Sequence, residues 1–180
     1  MKNSNFETLV KPVIVLVVIC LITSTMLAVT NNATAPIIAA QEEAAAQEAY
    51  QAVLPEADSF TDLTSEVSTE NIVAVVKANN GAGYCVKATG KGYGGDVVVM
   101  VAFGPDDTIK QIKVTEQAET KGIGSNVVSS EEYWANYAGV SAEKALVLNQ
   151  DVNAYSGATI SSKAVLSAVN SAIDAYNQLP

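Results

Sequence analysis

Three short segments of this chain combine glycine, small residues and hydroxyl groups, which suit close contact with a flat ligand or a phosphate. They are residues 90–95 (GKGYGG), 116–124 (EQAETKGIG) and 156–162 (SGATISS). In the third segment, Gly157 and Ala158 predict a tight turn that presents the hydroxyl of Thr159. A phosphoryl group bonded there would lie near the exposed N–H groups of the helix predicted to follow, at the positive end of its dipole.

Each of these segments also has an ordinary structural explanation. Residues 90–95 satisfy G-x-G-x-x-G, but strand-like residues follow where a dinucleotide site needs a helix. This excludes a dinucleotide fold and leaves a glycine-rich turn between strands. Taken alone, 116–124 is typical of a surface loop, and 156–162 is typical of a capped helix start. The residues by themselves therefore leave the chemistry open.

The composition limits the chemistry further. The 180 residues include ten lysines, no arginine and no histidine, so no imidazole can act as a general base or as a haem or zinc ligand. Two cysteines, Cys20 and Cys85, are too few for an iron–sulfur cluster. We expect Cys85 to pack as a small apolar side chain. We predict neither a metal site nor a catalytic residue, and redox work by this chain alone would need an organic cofactor.

An uncharged apolar segment, residues 12–29, would span about 27 Å as a helix, which is close to the thickness of a bilayer core. Lys2 and Lys11 precede it, and the next positive residue is Lys77. The positive-inside rule therefore predicts a single-pass cell-membrane protein with a cytoplasmic N-terminus and an extracytoplasmic domain. The alternative is a signal peptide cleaved after residues 33–35 (ATA), although the following Pro36 disfavours cleavage.

The exported part is acidic, with eighteen acidic residues and eight lysines after Thr30 and a net charge of −10. Such a surface repels phosphate backbones, so we expect no nucleic-acid partner.

The order of the predicted elements indicates an α+β domain with a mainly antiparallel sheet and flanking helices. Residues 37–54 predict a helix that continues from the membrane segment with an interruption near Pro36, and residues 56–70 predict a loop. Strands are predicted at 71–78, 83–89, 96–103, 109–115 and 145–149, a short helix from Ser129 to Tyr137 and a last helix from Ser161 to Tyr176.

Together, the three segments resemble the FMN-binding domain shared by the G subunit of the Rnf ion-translocating electron-transport complex and the C subunit of sodium-pumping NADH:quinone reductase. The resemblance rests on Tyr93-Gly94-Gly95, Glu119-Thr120-x-Gly122-Ile123-Gly124 and Ser156-Gly157-Ala158-Thr159, in that order behind one N-terminal anchor. It implies one FMN, which a flavin transferase attaches to Thr159 by a phosphoester. It also implies cofactor contacts from the matching residues Tyr93, Gly94, Glu119, Thr120, Gly122, Ile123, Ser156, Gly157 and Ala158. Lys163 is a further candidate, as a counter-ion to the phosphate.

The resemblance implies an electron relay without a complete catalytic site of its own, working with other membrane subunits of an Rnf-type complex. In that family the complex links ferredoxin oxidation to NAD reduction and moves Na⁺ or H⁺. We expect a cytoplasmic N-terminus (1–11), a membrane anchor (12–30), a helical stalk and linker (31–70) and an FMN-binding domain (71–180).

Two positions depart from the family pattern. Lys121 replaces a usual proline, and Asn153 replaces a usual aspartate three residues before Ser156, with Asp151 nearby. Two alternatives from other classes are a cofactor-free anchored binding or scaffold module and a serine hydrolase. The hydrolase would lack a histidine base.

Overall fold

The chain forms two compact units, Met1–Ala46 and Gln47–Pro180. The computed structural model describes the backbone of residues 4–119 and 124–179, and their side chains except those of residues 4–9, 39, 40, 42, 43 and 125. The second unit includes residues 47–70, which the sequence assigned to a stalk and linker. The functional boundaries at residues 30 and 70 stay predictions.

One long helix, α1 (Ser4–Val53), forms the described part of the first unit. Its last turns, from Gln47 onward, belong to the second unit. Its segment Val10–Ile38 has a mean hydropathy of 2.7 and is long and apolar enough to cross a membrane. The predicted interruption near Pro36 is wrong, because Pro36 lies inside the continuous helix. A proline removes one backbone hydrogen bond and bends a helix, but it does not have to end it.

The second unit is built on a five-stranded antiparallel sheet with strands in chain order. This confirms the predicted α+β class with flanking helices. The strands are β1 (Phe60–Asp62), β2 (Ile72–Ala78), β3 (Tyr84–Lys91), β4 (Asp96–Phe103) and β5 (Ile109–Glu116). The helices that follow are α2 (Ser125–Val128), α3 (Glu131–Trp134) and α4 (Thr159–Tyr176). Strands β2 to β5 match four predicted strands, whereas β1 lies in a segment predicted as loop.

Strand β4, which lies between β3 and β5, is buried on both faces of the sheet. Val97, Val99 and Val101 belong to the main core, together with the buried face of α4. Met100 and Ala102 point to the opposite face and are also buried, at 1% and 0% exposure. Alternate side chains of a strand point to opposite faces, so a strand buried on both becomes an unbroken apolar run, as in DVVVMVAF.

Helix α4 crosses the sheet very closely at Gly90 of β3. A methyl group added to Gly90 would overlap the carbonyl oxygen of Ala164 in α4. Glycine at this position therefore allows the helix backbone to lie directly on the strand. The contact places the N-terminal part of α4 beside the end of β3, near the turn that joins β3 to β4.

The polar loop between α3 and α4 is attached to α4 by side-chain hydrogen bonds. The predicted strand at 145–149 is wrong, because these residues join no ladder and form only an isolated bridge between Leu148 and Val152. The amide of Asn170 accepts a hydrogen bond from the Leu146 N–H (2.8 Å) and donates one to the Leu146 carbonyl (3.0 Å). The Asn170 side chain of α4 thus makes the backbone hydrogen bonds that a neighbouring strand would otherwise make.

Two predicted helix starts are shifted. Helix α4 begins at Thr159, two residues before the predicted Ser161. The cap of α3 is Ser130 rather than Ser129, since the Ser130 hydroxyl accepts the Tyr133 N–H at 3.2 Å. Neighbouring serines offer two caps of equal chemistry, and tertiary packing selects one of them.

We predict that Gly90→Ala destabilises the second unit by about 1–3 kcal/mol, because the added methyl group forces α4 away from β3. Gly81→Ala is the matched control: its φ is +76° but no atom lies within 4 Å of the added group, so only backbone strain of about 1 kcal/mol is expected. Denaturant unfolding followed by the fluorescence of Trp134 measures both. Equal losses in the two variants would contradict the close crossing.

Candidate functional site

A cavity of about 420 Å³ lies where the β3–β4 turn, the chain after β5 and the first turn of α4 meet. Its rim carries two exposed apolar side chains, Tyr93 (76% exposed) and Ile160 (55%), whereas Glu119 and Ser161 are buried. The described residues that line it are Tyr93, Glu119, Gly124, Gly157, Ala158, Thr159, Ile160 and Ser161. An open, partly apolar cavity with a few polar groups is typical of a small-molecule site.

Thr159 is the first residue of α4 and is exposed at this cavity. The preceding residue, Ala158, makes no side-chain cap. The first hydrogen bond of the helix runs from the Ser162 N–H to the Ala158 carbonyl at 3.0 Å. The N–H groups of residues 159–161 therefore come before the first hydrogen bond of the helix. They lie at the N-terminus of α4, which is a favourable place for an anion.

A tight turn delivers the chain to this position. The Ala158 N–H donates to the Tyr155 carbonyl at 3.1 Å, and Gly157 has a φ of +80° that suits the third residue of a type II turn. The hydroxyl of Ser162 accepts the Tyr155 N–H at 3.0 Å and donates to the Ala158 carbonyl at 3.0 Å. Helix α4 thus holds the turn that precedes Thr159.

The carboxylate of Glu119 connects two of the segments around the cavity. One oxygen accepts the Gly94 N–H at 3.0 Å, and the other accepts the hydroxyl of Ser161. Burial raises the pKa of Glu119, but the hydrogen bonds from Ser161 and from the backbone of Gly94 and Tyr93 outweigh it. The pKa of this carboxyl therefore lies below its ordinary value, and the group is ionised at neutral pH.

Not every residue proposed from the sequence lies at this cavity. Tyr93, Glu119, Gly157, Ala158 and Thr159 do, and Gly94 binds Glu119 through its backbone. Ser156 lines a neighbouring cavity of about 330 Å³ with Asn153 and Tyr133. Lys163 lines a third cavity of about 300 Å³ with Lys91. Thr120, Gly122 and Ile123, together with Lys121, lie outside the described residues.

The structure adds Ile160, Ser161 and Gly124 to the proposed set. The sequence treated Ser161 as the start of the helix, although its hydroxyl turns inward to Glu119. An earlier helix start at Thr159 would have placed Ser161 in the first turn, within reach of the cavity. Asp151 is already engaged, because its carboxylate accepts the Val147 N–H at 2.8 Å. Asn153, where the family usually has a carboxylate, is exposed.

Comparison with known proteins agrees with this arrangement. The model of the FMN-binding domain matches residues 92–174, and the model of the RnfG N-terminal region matches residues 1–53. The fold and the cavity thus define an FMN-binding domain behind an apolar N-terminal helix.

Curated relatives are similar along nearly the whole chain. The chain is 31% identical to the G subunit of the Na(+)-translocating ferredoxin:NAD(+) oxidoreductase complex of Acetobacterium woodii, over 97% of this chain and 95% of the relative. It is 29% identical to the G subunit of the ion-translocating oxidoreductase complex of Methanosarcina acetivorans (95% and 96%). It is 27% identical to the proton-translocating counterpart of Clostridium ljungdahlii (88% and 86%). The chain therefore belongs to the family of Rnf complex G subunits, and it is a membrane-anchored member.

The lowered pKa of Glu119 predicts an acid-sensitive contribution to stability. The contribution is fully present above the carboxyl's unfolded-state pKa, about 4.3, and is lost as the pH falls through the lower folded-state value. We expect the stability difference between the wild type and Glu119→Gln to be largest above about pH 5 and to shrink toward pH 3. Denaturant unfolding across this pH range measures it. A difference that grows on acidification would contradict the assignment.

Proposed function

We propose that this chain relays electrons within an ion-translocating membrane complex through one FMN bonded to Thr159 by a phosphoester. The observation that carries the proposal is the position of Thr159, an exposed hydroxyl residue at the uncapped start of an 18-residue helix, on the edge of a cavity of about 420 Å³. When bound, FMN supplies one- or two-electron transfer, and the protein holds and tunes it. The relatives named as parts of ferredoxin:NAD(+) oxidoreductase complexes support the place of this relay in a larger complex.

The residues around the cavity suit the two chemically different halves of the cofactor. The backbone N–H groups at the start of α4 and the positive end of its dipole favour a phosphate on Thr159. The exposed ring of Tyr93 and the side chain of Ile160 offer apolar contacts to a flat ring system. A cavity of this size lies within the usual range for small-molecule sites, about 300–1,000 Å³.

Attachment requires that a second enzyme reach the hydroxyl, and the exposure of the turn supports this. Ser156, Gly157, Thr159 and Ile160 are all exposed. We infer a flavin transferase as the partner that joins the FMN phosphate to Thr159. A covalent bond is useful outside the cytoplasm, because a dissociated cofactor would be diluted and lost. The cofactor-free scaffold module is the competing function, and it predicts an unmodified Thr159.

The charges around the apolar helix support a cytoplasmic N-terminus and an extracytoplasmic second unit. Lys2 and Lys11 lie before the apolar segment, and no lysine follows until Lys77. Residues 12–38 contain no charged residue. Because the apolar segment after Lys11 carries no charged side chain, we expect ion transport to fall to other subunits.

We predict that the native protein on a denaturing gel carries a fluorescent flavin band and a single FMN adduct on the peptide that contains Thr159. Thr159→Ala abolishes both signals, because it removes the hydroxyl that accepts the phosphoryl group. Ser65→Ala, which removes an exposed hydroxyl outside the described cavity lining, is the matched control and retains them. A wild-type protein made with a competent transferase that stays colourless would support the scaffold module instead.

We predict that a membrane-impermeant maleimide labels Ser65→Cys in intact cells, since Ser65 is exposed in the second unit. Ser4→Cys, on the other side of the apolar segment, is labelled only after the cells are opened. Both variants are made in a Cys20→Ser background, and Cys85 stays unreactive because burial raises the pKa of its thiol to about 12. The reverse labelling pattern would contradict the proposed topology.

A further inference from the structure

Glu119 is the one charged side chain among the described residues that line the cavity. It lies on the chain after β5, yet its hydrogen bonds go to two other segments, the β3–β4 turn and the first turn of α4. The glycines around Glu119 leave no room for a side chain. A methyl group on Gly94 would overlap the Ala118 carbonyl, and one on Gly92 or Gly124 would overlap the Glu119 carboxylate.

The carboxylate is held without a basic partner among the described residues. Its hydrogen bonds come from the neutral Ser161 hydroxyl and from backbone N–H groups. Lys91 and Lys163, the lysines nearest in sequence to the turn and to the helix start, line a separate cavity with Asp96. Tyr93, the aromatic residue among the described cavity lining, contributes an exposed ring. Glu119 thus places a fixed negative charge in the cavity wall.

We propose that Glu119 is a positioning residue that joins the β3–β4 turn to α4 and lowers the reduction potential of the flavin through its fixed charge. This inference rests on the proposed function, because it requires the flavin ring to occupy the cavity. Electrons added to a ring beside a fixed negative charge are repelled. Glu119 as a whole is only 7% exposed, so water screens its charge less than it would screen a surface charge. The reduced form is therefore disfavoured, and the flavin becomes a stronger reductant for the next carrier.

Two variants separate the charge of Glu119 from its role in holding the segments together. Glu119→Gln removes the charge but retains the size of the side chain and an oxygen that accepts the Gly94 N–H. Ser161→Ala removes one hydrogen bond and leaves the carboxylate and its charge in place. If Glu119 had a purely structural role, the reduction potential of the flavin would change similarly in both variants.

The first measurement is a spectroscopic redox titration of the flavin in the full-length, flavin-loaded protein at pH 7. We expect Glu119→Gln to raise the equilibrium constant for reduction at least tenfold, a positive shift of about 30 mV for a two-electron couple. Ser161→Ala is expected to give no positive shift. An unchanged potential in Glu119→Gln, or an equal positive shift in Ser161→Ala, would overturn the electrostatic role.

The second measurement needs no flavin. In the full-length Thr159→Ala chain, a further Glu119→Ala substitution is expected to speed amide hydrogen exchange in the segment 92–95 at least tenfold. Exchange at the β2–β3 hairpin turn, residues 79–82, is expected to stay unchanged. Equal exchange at 92–95 in both chains would overturn the positioning role. If the wild-type protein carries no flavin, the proposed function and the potential effect fail together, whereas the exchange result still decides whether Glu119 joins the two segments.

Discussion

The close contact between α4 and β3 at Gly90 determines the geometry of the whole site. Because Gly90 has no side chain, the backbone of Ala164 lies directly on the strand, and α4 cannot slide or tilt without losing its buried face. The first turn of α4 is only a few residues before this contact. The same strand runs from Gly90 into the 92–95 turn, so one contact fixes both the helix start and the turn that lies beside it. The cavity is the space that remains between them.

Helix α4 also organises the segment that leads into the site. Asn170 binds the backbone of Leu146, Asn177 donates to the Ala142 carbonyl at 3.1 Å, and Ser162 holds the turn at 155–158. These polar side chains satisfy backbone groups in a segment that belongs to no strand of the sheet. The turn before Thr159 is therefore held in place before any cofactor arrives, although its outer surface is exposed. An exposed but ordered hydroxyl suits a residue that another enzyme has to modify.

Much of the fold followed from local patterns in the sequence, while the corrections came from tertiary contacts. The sequence predicted β2 to β5 and the last helix, whose start it placed two residues late. The short β1 was missed because three residues, FTD, are too few to show an alternating pattern, and the strand is defined by its pairing with β2. The segment 145–149 was assigned to a strand because its composition suits one, but Asn170 supplies the hydrogen bonds that a strand would need. The glycine-containing segments and Ser156-Gly157-Ala158-Thr159 were enough to predict which parts of the chain form the site. The contact between Glu119 and Ser161 was not, since it joins residues 42 positions apart.

The proposed covalent cofactor, on a domain behind a single apolar helix, would explain why this chain combines few reactive side chains with an ordered, exposed turn. The chain has no histidine, and its described residues contain no group of three or more histidine, cysteine or acidic side chains that could hold a metal ion. An organic cofactor would then carry the electrons, and the protein would supply a position and an electrostatic environment. The most direct measurement is an experimental structure of the protein purified from the membranes in which it works. We expect continuous density from Oγ1 of Thr159 to a phosphate at the start of α4, with a flat ring in the cavity beside Tyr93. An unmodified Thr159 and a vacant cavity in an active complex would contradict this.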